Sequence, residues 1–593
     1  MGQIKDVFRS CKELIRMYPS YLIVMTLSIV TGVVESYLPV FLVKKIVIYY
    51  NNNLEVYNLV LLIGISFLIL GLLYVIDNFL NMFFRHIRRM FLVKESIMFY
   101  RHLANIDYAY HENPAFLNDY TRALEDSVEN IYDTADGLFS LIKTLIMSAS
   151  LFLAFREVGV NVILIALLIA IIFGILRYFS SKLQYIWTTK KRPYRRMIKY
   201  NNRIFSLKDS MAELKMTDLD ELLVEKNNEA HDEIIKATDK YFIPKAILAF
   251  ISNLLLLLLY PFLIIVIAYQ NGTIDNNTIA NITSLSVAAT TISTLIASIV
   301  RSIGTIQNSV IECKIPFELL KMKGTIEQDR GKEVGKIEEI ELKNVSFSYT
   351  KESYQLENIN MKIKKGDHIA IVGSNGAGKS TLVKLLLRLY DISDGDIYFN
   401  NLNYKEINPK SLRKEIGAVF QNIDIFACTI AENVLLRKVE TKEDIKKIEE
   451  ALEFAGLKED IDKLPQGINT IVTKEFDKDG IVFSVGQAQK LSIARAYAGD
   501  YSLLILDEPS SALDPIAEEK IYERISLLGK NKTIIFISHR LTTTINADYI
   551  YLFGSGKILE CGTHDQLMEK NGLYKKMFSS QAYKYLGGKD NEQ

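Results

Sequence analysis

The segment Gly373-Ser374-Asn375-Gly376-Ala377-Gly378-Lys379-Ser380-Thr381 limits what this chain can fold into more than any other stretch. Apolar Ile369, Ala370, Ile371 and Val372 precede it at strand length, and Leu382, Val383, Leu385, Leu386 and Leu387 follow as one side of a helix. Strand, glycine-rich turn and helix in that order aim backbone N–H groups and a helix N-terminus at one spot, where phosphate oxygens are held. Lys379 is placed to reach β- and γ-phosphates, and the Ser380 hydroxyl to complete a Mg²⁺ shell. A chance glycine-rich turn carrying a surface lysine would not need this surrounding order.

Further along, Leu503 to Leu506 form a second apolar strand ending in Asp507-Glu508. Paired carboxylates at a buried strand end are expensive without a cation or hydrogen-bond donors. Asp507 suits the organisation of Mg²⁺ and its water, and Glu508 the orientation or deprotonation of an attacking water. The strand Thr533 to Ile537 ends at Ser538-His539; His539 reads either as a contact to a terminal phosphate, holding the water with Glu508, or as an ordinary exposed histidine. Glu341 to Tyr349 alternates and predicts an edge strand. Tyr349, 30 residues before Lys379, is either an adenine-stacking ring or a packed aromatic; the spacing fits both.

The first half of the chain has a different character. Residues 1–19 set Lys5, Arg9, Lys12 and Arg16 beside Val7, Phe8, Leu14 and Ile15, the pattern of a helix lying on a membrane surface or of a short solvent-facing helix. Six apolar stretches follow, at 20–43, 58–82, 136–156, 160–180, 246–269 and 283–303. Each supplies about 20 helical residues, enough for a ~30 Å hydrocarbon layer. The sixth is rich in Ser and Thr, which suits a helix facing neighbours or a cavity. Arg85, Arg88, Arg89 and Lys94 follow the second stretch, and Lys190, Lys191, Arg192, Arg195 and Arg196 the fourth, placing both connections in the cytoplasm. Lys44 and Lys45, near the outer end of the first, run against that rule and are read as snorkelling or lining an outer cavity. The two long connections, 83–135 and 181–245, keep helical periodicity, so helices should continue past the bilayer. Turns near His111-Glu112-Asn113-Pro114 and between Ser206 and Thr217 are candidates for short transverse elements that pass motion on. Glu35, Asp77 and Arg177 fall at membrane depth or near it; such groups face a pathway or pair structurally. Asn271, Asn276 and Asn281 each begin an N-x-Ser/Thr match that a polar loop also produces.

A net charge of +1 over 593 residues gives no footprint for a nucleic-acid partner. Cys11, Cys313, Cys428 and Cys561 are too scattered for a metal cluster or a disulfide framework, and no cleavable signal pattern precedes the first apolar stretch.

Taken together, these motifs resemble the ATP-binding cassette exporter family along nearly the whole chain. The resemblance implies an adenine-stacking ring at Tyr349, the phosphate loop at 373–381, and at Gln421 in Phe420-Gln421-Asn422 a link between Mg²⁺ chemistry and the membrane domain. Phe483-Ser484-Val485-Gly486-Gln487 resembles the signature that binds ATP from the opposite subunit; Leu506-Asp507-Glu508-Pro509 the second nucleotide motif; Ser511-Ala512-Leu513-Asp514 the dimer-contact loop; and His539 the switch histidine. The signature departs from Leu-Ser-Gly-Gly-Gln in having Phe483 and Val485, which implies retained but slowed turnover. The implied architecture is multidomain: a six-helix transmembrane domain (1–303), a linker (304–335), an α/β P-loop nucleotide-binding domain (336–582) and a polar tail (583–593). Two such chains would pair, most simply as a homodimer, with ATP between the phosphate loop of one and the signature of the other. Closure on ATP and reopening after hydrolysis would then drive export from a bacterial cytoplasm, with ATP and Mg²⁺ as cofactors. The expected cargo is a peptide, exported whole or processed elsewhere because no leader-cleaving protease domain precedes the membrane domain. A multidrug or lipid exporter and a nucleotide-controlled membrane regulator are the alternatives.

Overall fold

A computed structural model describes residues 2–51, 56–124, 128–154, 160–271, 276–326, 328–350, 353–474, 477–509, 523–524, 532–538 and 541–586. The chain divides into two compact units, residues 1–104 with 114–322, and residues 105–113 with 323–593.

The first unit is helical: α1 (Gly2–Met17), α2 (Ser20–Asn51) and α3 (Val56–Ala104) precede α4 (Tyr108–His111), which packs with the second unit; α5 (Pro114–Arg122), α6 (Val128–Ala154), α7 (Val160–Ser206), α8 (Lys208–Met216), α9 (Leu219–Ala237), α10 (Ile243–Asn271) and α11 (Asn276–Leu319) complete it. At about 1.5 Å per residue, α3, α7 and α11 reach roughly 65–75 Å, more than twice a hydrocarbon layer. That length accounts for the helical periodicity of the connections. The α3 surface is inverted relative to a water-soluble helix, with Phe67 and Leu68 71% and 72% exposed. Among the described residues, Ser20–Tyr49 and Tyr57–Ala104 are the two helices long and apolar enough to cross a membrane. The other four expected spans fall in α6, α7, α10 and α11, with residues 155–156 of the first of these lying outside those described.

Within this unit a small core buries Leu14, Tyr21, Phe91, Ile131 and Phe317. Arg9 lies 4.1 Å over the Phe317 ring, and Arg122 and Arg192 both pair with buried Glu312 at 3.1 and 2.6 Å. A buried carboxylate held by two guanidiniums from separate helices fixes where α5, α7 and α11 meet. Between α9 and α10, Thr238–Phe242 winds as a π-helix, an insertion that rotates the side chains following it.

The second unit carries two sheets. An antiparallel sheet orders β1 (Glu339–Phe347), β2 (Leu356–Lys364), β4 (Asp394–Phe399) and β5 (Leu402–Asn403) as β2-β1-β4-β5. The strand expected at an edge is therefore interior. It pairs on both sides because β4, about fifty residues on, folds back beside it. The larger sheet runs β10-β9-β3-β8-β7-β6, comprising β3 (His368–Gly373), β6 (Ile416–Val419), β7 (Leu503–Asp507), β8 (Thr533–Ile537), β9 (Tyr549–Gly554) and β10 (Lys557–Gly562). All its pairings are parallel except β10 with β9. Buried on both faces, β7 and β8 read as continuous apolar runs for that reason. Residues 105–113 are held to this unit by Asp107. Its carboxylate accepts hydrogen bonds from the Thr325 and Ile326 amides at 2.6 and 3.1 Å and from the Thr325 hydroxyl at 2.8 Å.

Candidate nucleotide site

The phosphate loop joins β3 to α12 (Lys379–Leu386) at the carboxyl end of the parallel sheet, where such folds bind ligands. Gly373 and Gly378 have φ of 150° and 98°, and a Cβ on Gly373 would stand 2.2 Å from the Phe553 carbonyl oxygen. Ser374, Asn375 and Gly376 form an exposed tip and Ala377 is buried beneath it. Buried Lys379 donates from Nζ to the Gly373 and Ser374 carbonyls, each at 2.9 Å, so the loop curls round its own ammonium. Burial pushes that ammonium below its ordinary pKa against the opposing pull of Glu508 and Asp507. Ser380 is exposed at the start of α12, and Thr381 Oγ1 lies 3.4 Å from the Tyr349 hydroxyl.

Asp507 ends β7 and is buried, while Glu508 follows at φ 50° with its amide donating to the Ile537 carbonyl at 3.1 Å. Left-handed backbone is unfavourable for glutamate, and here the bond to β8 holds it. Gln421 Nε2 donates to Glu508 Oε2 at 3.0 Å. Thus Lys379, Asp507, Glu508 and Gln421 converge on one end of the sheet. Their donor set is oxygen-rich and suits a hard divalent cation: Ser380, Gln421 and Asp507 supply the residue types that bind Mg²⁺ directly or through water.

Tyr349 is 43% exposed and packs edge-on against Phe347 and Tyr390, with ring centroids 4.8 and 5.2 Å away. It is therefore both a packed aromatic and an available face. Lys384 Nζ lies 5.6 Å over the same ring and donates to Glu112 at 2.8 Å; Tyr390 donates to the other Glu112 oxygen. Burial works against the Glu112 charge, but the bonds from Lys384 and Tyr390 outweigh it and hold the carboxyl below its usual range. Lys384 and Tyr390 were not singled out from sequence. The only signal was an aromatic and a lysine spaced along and beyond one helix, which gains meaning only with Glu112 beside them.

Ser484 caps the helix Val485–Ala498, its hydroxyl accepting from the Gln487 amide at 3.2 Å while the Gln487 side chain accepts from the Ser484 amide at 3.0 Å. Reciprocal capping satisfies the Ser484 and Gln487 amides and fixes the geometry of the first turn. Val485, 70% exposed in the first turn, has no left-handed backbone to strain it, and Gly486 follows on the same turn. Phe483 is partly buried against the adjoining core. Asp514 and His539 lie outside the described residues.

Residues 356–511 match the ABC transporter family profile. The chain is 31% identical over 476 residues to the subtilin transport ATP-binding protein SpaT of Bacillus subtilis, covering 80% of this chain and 77% of that one. It is 40% identical over 278 residues to the ATP-dependent lipid A-core flippase of Wigglesworthia glossinidia brevipalpis, and 37% over 280 residues to that of Escherichia coli K12. Each flippase match covers 46% of this chain and 47% of the relative. In fold, the chain superposes on the structure of a bacterial Atm1-family ABC exporter with ATP bound, with TM-score 0.81, 21% identity, and coverage of 95% and 98%.

Proposed function

Because this chain belongs to the ABC transporter family, as a half-transporter that hydrolyses ATP to drive membrane transport, we propose that it exports a lipid-like amphiphile across a bacterial cytoplasmic membrane as a homodimer. The observation that carries the energy-coupling part is the convergence of Lys379, Asp507, Glu508 and Gln421 at one sheet end. Lys379 and the loop amides bind the phosphates, and Tyr349 offers its free face to adenine. Glu508, held by Gln421 and the β8 carbonyl, orients the attacking water and takes its proton. Ser380, Gln421 and Asp507 would hold a Mg²⁺ ion, which would supply neutralising charge to the phosphate oxygens. Ser484, Val485, Gly486 and Gln487 present a capped helix start to the nucleotide of the second copy; Asp514 and His539 keep the dimer-contact and switch roles expected of them.

In the helical unit, apolar outer faces such as that of α3 support a lipid environment, with six crossings and the nucleotide unit in the cytoplasm. A lipid-like cargo is favoured over the expected peptide by the flippases among the relatives. The peptide reading keeps one specific support: SpaT, a subtilin transporter, matches across most of the chain rather than half of it.

The test is transport in proteoliposomes holding either fluorescent phospholipids or a fluorescent peptide, each with and without ATP. ATP-dependent movement of lipid, lost in Glu508→Gln, supports the proposal. Peptide accumulation without lipid movement replaces the cargo, and movement unchanged in Glu508→Gln overturns the assignment of Glu508.

A further inference from the structure

Two cavities adjoin in the helical unit where α7, α10 and α11 meet. One, of about 300 Å³, is lined by Arg177, Lys245 and Arg301 together with Gln184. The other, of about 650 Å³, is lined by apolar side chains including Ile175, Phe179, Ile299 and Ile303. They share Ser181, Val300 and Gly304. Gly304 keeps the junction narrow-walled: a Cβ there would sit 3.3 Å from Ser181 Oγ.

Neither lining contains a carboxylate, and among the described residues none of the three cations is in an ion pair. Arg177 donates to Asn253, while its Nε and the Gln184 Oε1 are buried without a hydrogen-bond partner among the described residues. Three cations around a shared hollow with no carboxylate beside them repel one another, so an anion placed among them is favoured. Guanidinium forks match carboxylate and phosphate oxygens alike, but three cations around one hollow suit the extra oxygens and higher charge of a phosphate better than a single-charge carboxylate. The apolar hollow beside them is of a size and lining for a hydrocarbon chain.

We propose that the two cavities form one binding site for an anionic amphiphile, its phosphate head among Arg177, Lys245 and Arg301 and its acyl chain along the apolar pocket. This rests on the reading of the chain as an amphiphile exporter and names the charge of the cargo. Lys245 lies three residues after the π-helical turn Thr238–Phe242, and that turn is tied to the chain's single tryptophan: Trp187 Nε1 donates to Thr238 Oγ1 at 3.1 Å. Trp187 stands one helical turn beyond Gln184, with Lys191 Nζ 3.3 Å from its ring centroid. Its emission therefore reports events at this site without a label.

The experiment titrates purified full-length protein with dihexanoyl phosphatidic acid, dihexanoyl phosphatidylcholine or inorganic phosphate, reading Trp187 fluorescence without ATP. Saturable binding of the phosphatidic acid at least tenfold tighter than the phosphatidylcholine, and at least tenfold tighter than inorganic phosphate, supports the proposal. A doubly neutralised Arg301→Gln, Lys245→Gln variant should lose at least tenfold in affinity, while the charge-preserving Arg301→Lys, Lys245→Arg variant keeps it within threefold. Equal affinity for the two lipids overturns it, as does inorganic phosphate binding as tightly as the phosphatidic acid, which would mean a free-anion site. The wild-type lipid series decides even where a variant fails to fold. Because no ATP is present, this site can fall while the Glu508→Gln transport result stands, and the reverse.

Discussion

Glu112 and Lys384, 272 positions apart in sequence, are joined by a 2.8 Å hydrogen bond directly beside the ring of Tyr349. The segment that follows α3 thus touches the neighbours of the expected adenine platform. Glu112→Gln should weaken ATP binding two- to fivefold, a size in keeping with a partly exposed ion pair. Titration with a fluorescent ATP analogue measures it, and unchanged affinity would separate Glu112 from the platform. The folded carboxyl lies below its ordinary pKa, so its contribution is intact above the usual carboxylate range and fades only as pH falls through the lowered value. The difference between wild type and variant should accordingly be flat from pH 6 to 8.

Glu508→Gln should reduce the ATP hydrolysis rate by roughly 10²–10⁴-fold, the range for loss of a general base, with ATP binding kept. Gln421→Ala removes the amide that holds Glu508 at 3.0 Å and one neutral contact proposed for Mg²⁺, but leaves the base itself, and should cost less, about tenfold. Steady-state phosphate release checks both, and a Gln421 variant slower than the Glu508 variant would reverse their roles.

Gly373→Ala should destabilise the nucleotide unit by about 3 kcal/mol, because the added methyl collides with the Phe553 carbonyl and the backbone is left-handed. Thermal unfolding of the full chain without nucleotide would show it as a lowered transition. No shift would mean that β3 and β9 can separate at that point without penalty.

In the helical unit, burial, with Glu13 nearby, lifts the Glu95 carboxyl to about 7. A raised folded value means that the unit is most stable below the ordinary carboxylate pKa, and loses stability as pH climbs from about 4.5 through about 7. Glu95→Gln should remove that dependence and raise stability at pH 8, on the order of 3 kcal/mol at most. Unfolding midpoints between pH 5 and 8 measure the slope.

Val485→Gly should raise ATP turnover two- to fivefold if the exposed valine crowds the second copy. Its backbone needs no glycine, so the variant gains nothing within one chain and loses some helix propensity. A slower variant would show that the valine does not hold turnover back.

The placement of the phosphate loop and of Asp507-Glu508 at strand ends was legible because it is local: glycines, a lysine and paired acids lie next to the strands that carry them. The place of β1 was not, since its second partner β4 comes from about fifty residues on and alternation looks alike at an edge or inside a sheet. Lys384 and Tyr390 escaped notice for the same reason, their meaning depending on a glutamate far back in the chain. The cation cluster was half visible: Arg177 stood out at membrane depth, but Lys245 and Arg301 join it only through the packing of three helices.

Asp107 has a practical corollary for anyone cutting this protein apart. A fragment starting at residue 323 would leave the Thr325 and Ile326 amides without their acceptor and uncover the aromatic patch that Tyr108 covers on Tyr390. Such a piece should be sticky and frayed at its new end. A synthetic nonapeptide spanning 105–113 is then the natural reagent to restore it, making the excised module a complementation system in which the docking of that loop can be weighed by itself.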